Sequence, residues 1–110
     1  MRRVVICSPW KGNTELHSRY LDACLRDSYS RGEAPIAFHA IGPRVLRDDV
    51  PDEREIGIGA GLAWIHAADA VVVYSDLGIS EGMQREIAHA EWVDVCVEYR
   101  KLGGAWAGKR

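Results

Sequence analysis

The sequence predicts a single α/β domain with a small, mostly parallel sheet of four or five strands. Helices are expected on both faces of the sheet, in a Rossmann-like or flavodoxin-like arrangement. Short β-branched runs alternate with longer amphipathic segments, turn residues separate them, and 110 residues suffice for one core. We expect the domain to span residues 1–102 and residues 103–110 to form a C-terminal tail in which Trp106 is a possible docking point.

Two apolar runs have the character of central strands. Arg3–Cys7 and Ala70–Tyr74 are rich in valine and apolar on both sides, as in strands that helices cover on both faces. Weaker strands are predicted at residues 34–39, with proline confined to the start, and at residues 93–99. His39 would end the second strand, at the edge of the sheet where parallel α/β folds bind their ligands.

Three helices are predicted between these strands, at residues 15–31, 52–67 and 81–92. Ser80 is suited to cap the last of them. The middle helix is apolar almost all round, so burial on two sides is expected, and a subunit interface could supply the second side. Residues 42–52 hold two prolines and several charges without periodicity, which indicates a long loop of a kind that is often functional.

Composition and charge argue against several classes of function. The formal net charge is −2 with scattered basic residues, so polymeric nucleic acid is not an expected partner. No segment approaches the ~20 apolar residues of a membrane span, and no signal-peptide pattern follows the N-terminal arginines, so we expect a cytoplasmic protein. The odd number of cysteines, without metal-finger spacing, predicts reduced core thiols and no metal site or cofactor. These thiols are Cys7, Cys24 and Cys96.

Glu86 breaks the helical pattern around it. Met83, Glu86, Ile87 and Ala90 follow the i, i+3, i+4, i+7 spacing of a buried stripe, so a carboxylate occupies a position where an apolar group is expected. Such a carboxylate is a candidate nucleophile or general acid/base, because desolvation otherwise penalises it. The alternative is a glutamate at the edge of the stripe that reaches water or pairs with a neighbour.

Several residues next to the predicted strand ends are suited to bind an anion or a polar ligand. Ser80 and Gly82 begin a helix, whose N-terminus favours negative charge, although a plain N-cap explains them as well. A lysine beside a glycine in the first loop could reach an anion or be merely solvated. The predicted ligand-binding set is Ser8, Lys11, Gly12, His39, Ser80, Gly82 and Met83.

Two stretches resemble a known family. Residues 61–73 and the motif Ser80-x-Gly82-x-x-x-Glu86-Ile-x-x-Ala90 are similar to the nucleoside 2-deoxyribosyltransferase superfamily. The likeness is greatest to its 2'-deoxynucleoside 5'-phosphate N-hydrolases and to small relatives common in phage and bacterial genomes, in which the segment 74–83 is typical. The resemblance covers roughly residues 3–99.

The resemblance implies that Glu86 is the nucleophile and that Ser80 contacts a phosphate. It also places a basic residue of the first loop at Lys11 and a histidine of the second strand at His39. The implied ligand is a small nucleoside or nucleotide, and the implied assembly is a homodimer or a larger homo-oligomer.

This sequence departs from the family at two positions. A helical aspartate that assists catalysis is replaced by Gly61, and a tyrosine of the first strand by Val5. Asp76, typical of the small relatives, is a candidate to take over a catalytic contact. Two functions therefore remain: an N-glycosidase or transferase that acts on a nucleoside or its 5'-monophosphate, and a non-catalytic protein that captures a nucleotide or nucleotide signal.

Overall fold

The computed structural model describes residues 1–104 and 106 and confirms the α/β prediction. Its strands are β1 (Arg3–Cys7), β2 (Ala34–Ile36), β3 (Ala70–Tyr74) and β4 (Cys96–Arg100), and its helices are α1 (Thr14–Ser30), α2 (Pro51–Ile65) and α3 (Glu81–Trp92). The strands form one parallel sheet in the order β2-β1-β3-β4.

Both edge strands are shorter than the sequence predicts. β2 ends at Ile36, its last pairing with β1, and the chain then turns through two short 3₁₀ segments, Phe38–Ala40 and Gly42–Arg44. His39 therefore lies on a 3₁₀ turn and not at the end of a strand. β4 begins only at Cys96, because α3 is followed by a turn in which Asp94 has a φ of 60°.

The sheet separates two apolar clusters because alternate residues of each strand face opposite sides. On one side, Tyr20 and Cys24 of α1 pack against Tyr74. On the other, Met83 and Ile87 of α3 pack against Val71 and Val73. Both α1 and α3 are capped: Asn13 accepts a hydrogen bond from the Leu16 amide, and Ser80, the predicted cap of α3, accepts one from the Met83 amide.

The three cysteines do not share one environment. Cys7 and Cys24 are buried as predicted, but Cys96 is exposed, so the prediction of a core thiol is wrong there. The reason is that β4 is an edge strand and Cys96 is its first residue. Of the predicted tail, residues 105 and 107–110 lie outside the described residues, whereas the Trp106 ring lies 4.9 Å from the Tyr20 ring.

Helix α2 is only lightly buried within the chain. Ile65 is its one buried residue, while Ile56 is 60% exposed and Trp64 is 54% exposed. Trp64 stacks on Phe38 with 5.8 Å between ring centroids. The described residues thus leave the second apolar side of α2 uncovered, and its burial in a subunit interface stays a prediction. Within residues 1–104 and 106, no helix has the length and apolar character needed to cross a bilayer.

A bidentate ion pair joins the end of β4 to the start of β2. The Arg100 guanidinium donates to both Glu33 oxygens at 2.9 and 2.6 Å, and the Ser28 hydroxyl donates to Glu33 at 2.7 Å. Only 8–9% of either charged side chain is exposed. Arg100 and Ser28 hold the pKa of Glu33 at about 2, so the stabilisation is present above the ordinary pKa of 4.5 and is lost as the pH falls toward 2.

Replacing Arg100 with methionine is expected to lower the free energy of unfolding by about 3–5 kcal/mol, because the buried Glu33 carboxylate loses its bidentate partner and keeps only the Ser28 hydrogen bond and a 3.6 Å ion pair to the partly exposed Arg2. Urea unfolding at pH 7 measures this change. Arg31→Met is the matched control: it removes an exposed ion pair to Asp27 and is expected to cost about 0.5 kcal/mol or less. Equal losses in the two variants would contradict a buried pair.

Candidate active-site cleft

A cleft of about 700 Å³ opens beyond the carboxyl ends of β1, β2 and β3. Its walls come from the loop after β1, the segment between β2 and α2, one side of α2 and the first turns of α3. Ligands of parallel α/β sheets bind at this edge, and the volume lies within the usual range of about 300–1,000 Å³ for small-molecule sites. Predicted residues that line the cleft are Ser8, Lys11, His39, Ser80, Gly82, Met83 and Glu86.

Two predicted site residues do not line this cleft. Gly12 adopts a φ of +90° in the turn before α1, a conformation that glycine adopts readily, so its contribution is to the shape of the loop. Asp76 lies on the other side of the sheet, with the cluster around Tyr20.

The Glu86 carboxylate is partly buried at the cleft wall. Met83, Ile87 and Ala90 anchor α3 against the sheet, and Glu86 lies beside this stripe, so the helix cannot rotate it into bulk water. Among the described residues it has no hydrogen-bond or ion-pair partner within the chain. Desolvation raises its pKa from 4.5 to about 7. The Glu86 carboxylate is therefore available to a ligand, since none of the described residues binds it.

Ser8 and His39 form a hydrogen-bonded pair in the same cleft. The Ser8 Oγ and the His39 Nε2 are 2.8 Å apart, and Trp10 packs edge-on against the imidazole at 6.0 Å between centroids. Burial lowers the pKa of His39 to about 4, so the ring is neutral at pH 7. Among the described hydrogen bonds, none joins His39 to a carboxylate, so the pair lacks the third member of a Ser-His-Asp triad.

Basic side chains that sequence reasoning missed lie at the mouth of the cleft. Arg47, Arg54 and Arg85 line it together with Lys11. Asp48 lies 3.7 Å from the Lys11 ammonium and 3.6 Å from the Arg54 Nε, which is itself buried and makes no hydrogen bond to any residue that the structure describes. The high charge of the loop at residues 42–52 was an available signal for Arg47, whereas Arg54 and Arg85 lie on α2 and α3, where no sequence signal marked them.

Asp76 is a structural residue in this geometry. Its carboxylate accepts a 2.6 Å hydrogen bond from the Tyr20 hydroxyl and further bonds of 2.9–3.0 Å from the Leu102 and Gly103 amides. These contacts hold the segment after β4 against α1. The catalytic contact expected from Asp76 therefore has no geometric support, because the carboxylate does not reach the cleft.

Asp76→Asn is expected to lower the free energy of unfolding by about 1–3 kcal/mol, since an amide nitrogen cannot accept the backbone hydrogen bonds. Thermal and urea unfolding measure the loss. The affinity of the folded variant for cleft ligands should match that of the wild type. A variant of wild-type stability that had lost ligand affinity would restore Asp76 to the site.

Phe38 lies close to the position at which the resemblance expects a catalytic aspartate. A Cβ placed on Gly61 would lie 3.5 Å from the Phe38 Cβ, so the phenyl group lies in van der Waals contact with this part of α2. Val5, in place of the expected tyrosine, is buried in the core below. The cleft thus keeps Glu86 but lacks both polar groups that the resemblance would place near it.

Comparison with known proteins supports this fold. A solved structure of the 2-deoxyribosyltransferase from the psychrotolerant bacterium Bacillus psychrosaccharolyticus matches with a TM-score of 0.67 and 16% identity, over 93% of this chain and 74% of that chain. At this identity the match establishes a shared fold. No curated protein matches the sequence significantly. A family model described as a domain of unknown function, DUF7768, matches residues 2–100, and the chain therefore belongs to the DUF7768 family.

Proposed function

We propose that this protein cleaves, or transfers across, the N-glycosidic bond of a nucleoside or nucleoside 5'-monophosphate, with Glu86 as the nucleophile. One observation carries the proposal: the Glu86 carboxylate faces the cleft, partly desolvated and without a partner in the described chain. A fold that tolerates this cost has a chemical use for the group, since a surface position would avoid the penalty.

The reaction would proceed by two displacements at the anomeric carbon. A Glu86 oxygen forms a bond to that carbon while the C–N bond breaks, and its electron pair leaves with the base. The resulting glycosyl ester is then attacked by water, which gives hydrolysis, or by a second base, which gives transfer. Attack on the anomeric carbon breaks its bond to the Glu86 oxygen, which keeps the electron pair and is restored as a carboxylate; in hydrolysis the proton lost by water balances the one that the departed base takes up.

Ser8 and His39 are assigned to binding rather than to proton donation. A histidine whose pKa is about 4 is neutral at pH 7, so it is a poor proton donor to the leaving base. Its neutral ring can make one hydrogen bond to Ser8 and one to a ligand. The pair would orient the sugar or the base relative to Glu86. The similarity of fold to a 2-deoxyribosyltransferase supports a nucleoside as the ligand.

The cleft carries cationic groups suited to a phosphorylated ligand, set among the carboxylates of Asp48, Glu53 and Glu81. Lys11, Arg54 and the N-terminus of α3 at Ser80 all line it, and each can interact with an anion. Lys11→Met is expected to weaken binding of a nucleoside 5'-monophosphate about tenfold and to leave nucleoside binding unchanged. Calorimetric titration of both ligands measures this, with Lys101→Met as a control outside the cleft. An equal loss for both ligands would contradict phosphate recognition.

A capture protein is the second candidate, and a specific observation favours it. Gly61 and Val5 remove two polar groups that the resemblance links to catalysis, and Phe38 packs against one of those positions. Such a cleft could bind a nucleotide without turning it over. The two functions differ only in what happens after binding.

The deciding experiment incubates the purified protein with a panel of nucleosides and their 5'-monophosphates. Chromatography measures the released base, and thermal shift measures binding in the same samples. Base release from at least one ligand supports the glycosidase. Stabilisation by a ligand that is never cleaved, with or without an added acceptor base, would establish the capture protein instead.

A further inference from the structure

Two histidines meet on the surface away from the cleft. His66 directly follows α2, and His89 belongs to the last turn of α3. Their Nε2 atoms are 2.9 Å apart, with the rings inclined at 59°; His66 is exposed and His89 is half-buried. Neither residue lines the cleft. The pair joins the ends of two helices whose other parts form cleft walls.

The hydrogen bond of this pair joins the Nε2 atoms of the two rings. One Nε2 must carry a proton and the other must accept it, so two imidazole nitrogens converge on a single small site. Metal–imidazole bonds are about 2.0–2.1 Å long, which places two cis ligands at 90° about 2.9 Å apart and two tetrahedral ligands about 3.4 Å apart. The observed 2.9 Å lies within reach of one shared ion, and because the rings meet nearly end to end, with 5.0 Å between their centroids, a small rotation of each ring turns both lone pairs toward that ion. Imidazole nitrogens suit Ni²⁺ and Cu²⁺.

We propose that His66 and His89 form a surface site for a divalent transition-metal ion of the Ni²⁺ or Cu²⁺ type. The ion replaces the shared proton, which moves to the Nδ1 of the donor ring, and each Nε2 lone pair binds the metal. Among residues 1–104 and 106, no third histidine, cysteine or carboxylate completes a metal-binding cluster. Water fills the remaining positions, and the site binds its ion exchangeably.

The bound ion would fasten the end of α2 to α3. Helix α2 is otherwise lightly buried, so a cross-link at its C-terminus restrains a helix that few core contacts hold. This inference does not depend on the proposed function, because the two histidines lie outside the cleft. It predicts a gain in thermal stability with added metal, since the ion binds the paired geometry of the folded state more tightly.

Trp92 provides a local probe of the site. Its ring lies 5.8 Å from the His89 ring and is 79% exposed. Protein purified without a histidine tag is titrated with NiCl₂, a metal that does not oxidise the exposed Cys96, while calorimetry and tryptophan fluorescence are recorded. The variants are His66→Gln, His89→Gln, His17→Gln as a lone-histidine control, and Trp92→Phe.

The expected result is one Ni²⁺ per chain, bound about 100-fold more weakly after loss of either His66 or His89, because chelation by two imidazoles makes the second bond intramolecular. His17→Gln should bind as the wild type does, and Trp92→Phe should keep the affinity but lose most of the quenching. Wild-type affinity in the His66→Gln and His89→Gln variants would overturn the proposal, whatever the outcome for nucleoside cleavage.

Discussion

Glu86→Gln is expected to lower the rate of base release by at least about 10³-fold, the scale on which enzymes lose activity when their nucleophile is removed. Glutamine preserves the size and polarity of the side chain but does not form a stable glycosyl ester. Binding of the substrate should therefore persist while turnover disappears. Single-turnover assays with the best member of the ligand panel separate these two effects.

Glu91→Gln is the matched control for this variant. Glu91 is an exposed carboxylate on the same helix and does not line the cleft, so its replacement should leave both binding and base release near the wild-type level. Base release by Glu86→Gln at the rate of Glu91→Gln would rule out Glu86 as the nucleophile. Loss of binding together with turnover would instead assign Glu86 to ligand recognition.

The pH profile is expected to show one acid limb near pH 7. A nucleophilic Glu86 acts only when it is ionised, and its pKa is about 7 in the free protein, so kcat/KM should fall about tenfold per pH unit below that value. His39 does not account for this limb, because burial holds its pKa at about 4. Initial rates between pH 5 and 9 measure the profile.

The direction of the limb distinguishes two roles for the same carboxyl group. If Glu86 served as a general acid, the protonated form would be active and kcat/KM would fall above pH 7. Activity that is flat from pH 5 to 9 would contradict both roles. The salt of each buffer is held constant, because the arginines at the mouth of the cleft make phosphate binding sensitive to ionic strength.

The raised pKa of Glu86 also lowers the free energy of unfolding at neutral and higher pH. Because the folded pKa of Glu86 lies above the ordinary value of 4.5, the folded state binds more protons than the unfolded chain between these values, and stability falls as the pH rises through this window. A glutamine at this position avoids the cost. Glu86→Gln should then be more stable than wild type at pH 8 by up to about 3 kcal/mol.

Local sequence pattern was sufficient to predict the sheet and the position of Glu86. β1 and β3 are short β-branched runs that helices cover on both faces. Burial on both faces requires consecutive apolar residues, and these are visible in the sequence. The stripe of α3 likewise repeats at helical spacing, so a carboxylate within it is visible without coordinates. Ser80 and the start of α3 follow from capping chemistry alone.

The remaining features depend on contacts between distant residues. Asp76 was a candidate for a catalytic contact because it is typical of the small relatives, whereas its hydrogen bonds come from Tyr20 and from the segment after β4. Arg54 lines the cleft because one side of α2 forms a cleft wall, and this packing of α2 cannot be read from the local sequence pattern. Cys96 occupies an apolar stretch, yet it is exposed because β4 lies at the edge.

The most direct test of the central claim is a mass measurement of the glycosyl enzyme. Wild-type protein is mixed with the substrate identified by the panel, quenched in acid within the first turnover, digested and analysed by mass spectrometry. The expected result is one pentosyl or phosphopentosyl group on the peptide that contains Glu86, absent from Glu86→Gln. Base release with no adduct on that peptide, and undiminished in Glu86→Gln, would contradict the proposed mechanism.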